Sequence, residues 1–150
     1  MAYTLKEVTI RTNNTPEGLK RIEALWEDIA TGKLPIIFDS EHNFHMGISP
    51  ISMYSNYESN EDGDYDLSIL GVNSDFFSKL ESEVRNGKYK KYVSTGENMT
   101  SSIKNAWKTV WKEQQKGIIS RSYITDYESA VPAEYTKDGM AHCYLWISLT

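Results

Sequence analysis

The most constraining feature of this chain is that its punctuation runs twice. Trp26 is followed six positions later by Gly32, and Trp111 six positions later by Gly117, the two pairs lying 85 apart. Each tryptophan belongs to an apolar stripe at helical spacing: Leu19, Ile22, Leu25, Trp26 and Ile29 in the first, Ile103, Ala106, Trp107, Val110 and Trp111 in the second. Each stripe follows a helix start. Asn13-Asn14-Thr15-Pro16-Glu17 supplies a cap, a first-turn proline and an acid, and the run from Gly96 to Ser101 offers Asn98 or Thr100 as cap. The glycines are plausible stops. Runs rich in β-formers precede the helices, Tyr3 to Thr12 and Tyr89 to Thr95.

After each helix the chain returns as a hairpin. Met46 to Ser49 and Ser52 to Glu58 read as extended, then Asp62-Gly63 turns into a strand from Tyr65 to Val72. Ser122 to Ser129, Asp138-Gly139 and a strand from Ala141 to Leu149 repeat the theme, the two turns lying 76 apart. Residues 34–49 are otherwise irregular but apolar, and Asn73 to Gly87 reads as a connector with a short helical piece. The expected class is therefore α+β, a single 1–150 domain of two strand-helix-strand-strand units, about 1–73 and 88–150. One helix per unit covers one sheet face. The other faces are expected to meet at a pseudo-two-fold seam, where a cleft would form.

The chain has 150 residues, enough for a real core. Its net charge of −5, with no basic stripe, argues against duplex binding. A lone cysteine, Cys143, excludes an internal disulfide and suits a reducing compartment. The N-terminus reads as neither signal peptide nor membrane span, so a cytoplasmic protein is expected. Ten Tyr and four Trp are many for this length, and serve equally as core or as ligand-contacting surface.

Tyr57-Glu58-Ser59 and Tyr127-Glu128-Ser129 are identical, 70 positions apart. An acid inside an aromatic-rich strand is uncommon, and Glu128 becomes the leading candidate. Alternation puts Ile124, Asp126 and Glu128 on one strand face and Tyr123, Thr125 and Tyr127 on the other. Tyr127 is expected under the helix and Glu128 in the cleft. A carboxylate in an apolar cleft costs roughly 2–5 kcal/mol unless paired, so it favours a cation or a proton. The plain alternative is a half-exposed strand residue bridged to a lysine such as Lys137. Glu58 is the expected symmetric copy, and Trp107 the indole expected at the cleft, because its counterpart is the smaller Ile22.

Other motifs are weak. His42-x-x-His45 has no third ligand at metal spacing. Asn60-x-Asp62-x-Asp64 has Gly71 at its twelfth position, which suits a solvated turn better than calcium. Cys143 reads as a buried small side chain. No metal and no cofactor are expected.

The second half runs Tyr89-x-x-Tyr92-Val93-x-x-Gly96, then a helix with Trp107 and Trp111, then Tyr127-Glu128, then Tyr144-Leu145-Trp146-Ile147-Ser148-Leu149. The first half adds Gly63-x-Tyr65-x-Leu67-x-Ile69-Leu70-Gly71-Val72. In order and spacing, over nearly the whole chain, this resembles the GyrI-like effector-binding domain, also found at the C-terminus of AraC- and MerR-type multidrug regulators. The resemblance implies a duplicated βαββ fold with a central groove lined by aromatics, whose buried glutamate pairs with cationic lipophilic ligands. By motif position that glutamate is Glu128, with Tyr127 where the family often has Phe. The family's second acid and following proline in the last strand are absent here, where Tyr144 and Ser148 stand. The regulators' helix-turn-helix is absent too, so the likeness is to stand-alone members. Some of these are reported to hydrolyse cyclopropane-containing compounds, and others to bind and block DNA-modifying machinery.

The resulting expectation is a stand-alone module binding an aromatic, lipophilic small molecule, cationic or neutral. Glu128 would anchor it, with Tyr92, Trp107, Tyr144, Trp146, Glu58, Tyr54 and Met46 around it. A monomer or homodimer is expected, binding neither nucleic acid nor membrane and more a binder than an enzyme. A hydrolase using Glu128 as acid or base, or a protein that inhibits a partner, are the alternatives.

Overall fold

The computed structural model describes residues 7–30, 49–59, 63–72, 74–131 and 138–150. The chain divides into two compact units, Met1–Lys79 and Leu80–Thr150. Its class is α+β, with antiparallel strands and one long helix following the first strand of each unit.

In the first unit β1 (Glu7–Thr12) leads into α1 (Pro16–Ala30), then β2 (Ser49–Ser55) and β3 (Tyr65–Val72). β3 lies between the other two strands, with Val8 opposite Ile69 and Ile51 opposite Leu70. The helix starts where the sequence says it should. The Thr15 hydroxyl accepts the Gly18 N–H at 3.2 Å, and Pro16 occupies the first helical position. A Cβ on Gly18 would stand 2.2 Å from the Asn13 carbonyl oxygen, so this close turn requires glycine. Leu25 packs with Tyr65, Leu67 and Ile69, with Ile22, Trp26, Tyr54 and Tyr57 against them. Leu19, expected in the stripe, is exposed instead.

In the second unit β4 (Tyr89–Gly96), α3 (Met99–Gln115), β5 (Thr125–Val131) and β6 (Ala141–Ser148) follow in the same order. β6 lies between β4 and β5, with Leu145 opposite Tyr92 on one side and Glu128 on the other. Asn98 is the cap of α3: its side chain accepts the Ser101 N–H at 2.9 Å. Gly117 takes a φ of +72° while Ile118 N–H bonds the Glu113 carbonyl at 2.9 Å, the glycine stop expected from sequence. Ala106 and Val110 pack on Tyr92, Cys143, Leu145 and Ile147, with Ile103 and Trp107 beside them. Trp111 completes the sequence stripe but is 42% exposed, with its ring centre 6.2 Å from that of Trp107.

Three expectations change. The short helical piece expected in the connector after β3 is a twelve-residue helix, α2 (Ser74–Arg85), which takes up most of it. β5 starts at Thr125 rather than Ser122, after Tyr123 takes a positive φ of 53° that no strand accommodates. The two Tyr-Glu-Ser copies are not equivalent: Tyr127-Glu128-Ser129 lies within β5, whereas Tyr57-Glu58-Ser59 follows the end of β2, where the Glu58 N–H bonds the Asp64 carbonyl at 2.8 Å. Gly32, His42, His45, Met46, Asp62 and Lys137 fall outside the described residues.

Candidate functional site

The second unit's sheet carries chemistry on both faces, and strand alternation sorts it. Facing α3, Glu128 is opposite Leu145, a member of the core beneath the helix. The Trp107 indole N–H donates to Glu128 Oε1 at 2.6 Å, and Glu128 is 7% exposed. The expected face assignment is therefore reversed: Glu128 lies on the helix side and Tyr127 on the other. The indole N–H reaching down from α3 resolves the cost of placing a carboxylate there, since a buried acceptor needs a donor.

Beside this bond lies a buried ion pair that the sequence reading did not single out. Arg121 Nη2 donates to Asp126 Oδ2 at 2.9 Å, with side-chain exposures of 2% and 0%. The paired register of β5 with β6 begins at Tyr127 opposite Trp146. Just beyond it, Asp126 Oδ1 accepts the Ser148 N–H at 2.8 Å and the Ser148 hydroxyl at 3.0 Å, so a side chain takes over where the ladder stops. The Arg121 guanidinium lies 4.5 Å from the Tyr123 ring centre and 5.7 Å from that of Trp107. Gln114 of α3 donates to the Tyr123 hydroxyl. Tyr123 thus holds its left-handed backbone because contacts with Arg121 and Gln114 fix its ring. The sequence signal was present in Asp126, an acid at the mouth of a strand, but nothing local pointed to Arg121 as its partner.

Tyr92 is core. Its hydroxyl donates to Glu113 Oε1 at 2.8 Å, and Lys90 Nζ is 2.6 Å from the same oxygen. Burial, then the bond to Glu113, raises the Tyr92 phenol, while the Lys90 bond holds Glu113 below its ordinary value. Cys143 is fully buried. Burial, then the Glu128 charge, pushes its thiol up, which is unsuited to a nucleophile.

On the face turned away from α3, the rings of His142, Tyr144 and Trp146 follow one another at 6.2 and 6.3 Å with interplanar angles of 13° and 27°. His142 Nε2 is 2.9 Å from Asp138 Oδ1. Opposite Trp146 are Lys91 on one side and Tyr127 on the other, and opposite Tyr144 are Val93 and Ser129. Tyr127 and Tyr89 have ring centres 6.1 Å apart. Lys91 Nζ lies 5.5 Å from the Tyr144 ring centre, 5.6 Å from that of Trp146 and 2.6 Å from Glu81 Oε1 of α2. Trp146 is 2% exposed and forms the floor, Tyr144 and Lys91 are half-buried, and Val93 at 59% leaves one side open.

The remaining candidates belong to the first unit. Tyr54 packs edge-to-face on Tyr65 at 5.5 Å within the core. Glu58 is exposed. Of the eight sequence-chosen residues, the seven that are described do not form one set: Trp107 joins Glu128 under α3 with Tyr92 in the same core, Tyr144 and Trp146 share the opposite face of that sheet, and Tyr54 and Glu58 belong to the first unit. Among the described residues no group of three or more His, Cys, Asp or Glu could hold a metal, and no helix is long and apolar enough to cross a membrane.

No protein-family model matches the chain, and no curated protein matches it. Among solved structures it is similar to an integron cassette protein from the mobile metagenome of Vibrio cholerae, 20% identical, with a TM-score of 0.64 over 98% of this chain and 95% of that one. At this identity the likeness speaks for the fold alone.

Proposed function

We propose that the chain is a small-molecule binding protein that takes a flat, cationic aromatic ligand on the Tyr144–Trp146 face of its second unit. The observation that carries this reading is the surroundings of Lys91, where two aromatic rings and the Glu81 carboxylate converge on one ammonium. Organic cations are recognised by that combination. Val93 and Tyr144 add apolar area at the open side for the ligand's ring. The reading keeps Tyr144 as a wall and Trp146 as the floor, and moves the anion from Glu128, which serves Trp107, to Glu81.

The same reading takes the two units as βαββ duplicates of the GyrI-like kind. In its favour, β3 lies between β1 and β2 as β6 lies between β4 and β5. Ile51 faces Leu70 as Tyr127 faces Trp146, and each residue of the second pair is 76 positions after its counterpart in the first. On that register the counterpart of Glu128 is the buried Ser52, not Glu58.

The test is calorimetry with 3-hydroxyphenyltrimethylammonium and its neutral isostere 3-tert-butylphenol, which differ only in charge. The cation is expected to bind more tightly. Tyr144→Leu should weaken the cation about fivefold, since one ring contributes about 0.5–2 kcal/mol to a cation. Equal affinities for the two probes, or a cation affinity unchanged by Tyr144→Leu, overturn the reading.

A further inference from the structure

The cation beside these aromatic rings already belongs to the chain. Lys91 reaches from β4 over the neighbouring strand, so that its ammonium lies 5.5 Å from Tyr144, 5.6 Å from Trp146 and 2.6 Å from Glu81. A free ligand cation would seek the same two ring faces and the same carboxylate. Resting on the binding reading above, we infer that Lys91 is a resident competitor, and that ligands bind by displacing its ammonium into solvent.

The geometry permits this. The Lys91 and Glu81 side chains are 31% and 38% exposed, and a lysine stem is flexible enough to swing its head into water without disturbing the strand. Trp146 beneath them is 2% exposed, while Tyr144 is half-buried. Lys90, one residue earlier and on the opposite face, offers an internal contrast. Its ammonium lies 5.1 Å from the Tyr92 ring and 2.6 Å from Glu113, but Tyr92 is a core residue whose hydroxyl also holds Glu113. The Lys90 site is a strut; the Lys91 site stands beside the exposed Val93 and can exchange its occupant.

The consequence is selectivity. A neutral aromatic that displaced Lys91 would leave Glu81 without its cation, whereas a ligand carrying its own cation restores the pairing. Lys91 therefore penalises neutral rings and sets a threshold that cations pass only by offering a larger apolar surface than a lysine does. Phenyl or larger groups bearing a quaternary ammonium or a guanidinium fit that description, and ammonium alone does not.

The experiment compares wild type, Lys91→Met and Lys91→Arg in calorimetric titrations with 3-hydroxyphenyltrimethylammonium and 3-tert-butylphenol, after circular dichroism shows that all three are folded. Lys91→Met should bind the cation about tenfold more tightly, because no internal cation remains to be displaced. Lys91→Arg, which keeps one, should stay within about threefold of wild type. If wild type prefers the cation but Lys91→Met binds it no more tightly, Lys91 is no competitor and the inference falls while the binding reading stands. If no variant distinguishes the two probes, both fall. If Lys91→Met loses affinity for both probes, the lysine is part of the binding surface and the inference falls.

Discussion

Removing the Arg121 guanidinium tests whether the second unit has an ion pair it cannot spare. Asp126 is fully buried, and Arg121→Met takes away the cation 2.9 Å from its Oδ2. The Ser148 N–H and hydroxyl remain at 2.8 and 3.0 Å, so the carboxylate keeps donors but loses its opposite charge. Breaking a buried pair from one side costs about 3–5 kcal/mol, because the remaining charge has left water without compensation. That is a large part of the 5–15 kcal/mol, roughly, that holds an ordinary domain folded. Asp126→Asn should cost a similar amount by stranding the guanidinium. The double variant should not cost their sum. With both charges gone, the asparagine oxygen still accepts from Ser148, and the loss should fall below that of either single change. The assay is urea unfolding by tryptophan emission in a Trp26→Phe background, so that Trp107, Trp111 and Trp146 report on the second unit. With a slope of about 1–3 kcal/mol per molar urea, each single variant should lower the midpoint by roughly 2 M. Additive losses, or a single-variant loss under about 1 kcal/mol, would refute the argument by showing that water reaches the pair.

Trp107→Phe removes the indole N–H from Glu128 and should cost about 1–3 kcal/mol in the same urea assay, whereas Glu128→Gln, which retains an acceptor oxygen, should cost less; the reverse order would mean that the bond contributes little. The Tyr89 phenol is pushed up to about 12, first by burial, then by Tyr127, Asp126 and Glu83. Because the folded value exceeds the ordinary one of about 10, its stability contribution is complete below pH 10 and lost as the pH rises towards 12. Ultraviolet titration should show several late phenols, Tyr92 and Tyr127 among them, and one fewer in Tyr89→Phe; a Tyr89→Phe protein unfolding over the same alkaline range as wild type would count against the assignment.

Much of the fold was legible because its signals are local. Thr15-Pro16, Asn98 and Gly117 act through the backbone within a few residues, and the helices start or stop at those positions. β3 was legible to the residue, since Tyr65, Leu67 and Ile69 alternate with Asp66 and Ser68 before Leu70 to Val72, a strand pattern that follows the Asp-Gly turn. What failed was whatever depends on a partner distant in sequence. Alternation fixes which residues share a strand face but not which of two faces meets the helix. For β5 that choice is made by the register with β6, which puts Glu128 beside Leu145, and by an indole 21 positions away. Arg121 and Asp126 are only five apart, yet their pairing depends on the left-handed turn at Tyr123, which no side-chain pattern announced.

The repeated tripeptide misled for a related reason. Identity of letters is not identity of place, because a strand position is defined by what lies across the ladder. On the proposed duplication, Glu128, which faces Leu145, would correspond to Ser52, which faces Ile69, and a hydroxyl would stand where the second half has a charge. A serine there needs no counter-group from a helix, and Ile22, which the sequence repeat aligns with Trp107, has no N–H to give. Acid and indole thus occur together in one half, and hydroxyl and aliphatic in the other, which is what a mutual requirement between donor and carboxylate predicts. Carrying the pair across should therefore be possible only as a unit. Ser52→Glu alone should destabilise the first unit by several kcal/mol, as an unpartnered buried carboxylate does, and adding Ile22→Trp should recover part of that loss. Recovery measured by urea unfolding would support the equivalence. A double variant no more stable than Ser52→Glu would refute it and leave the two halves alike in strand order only.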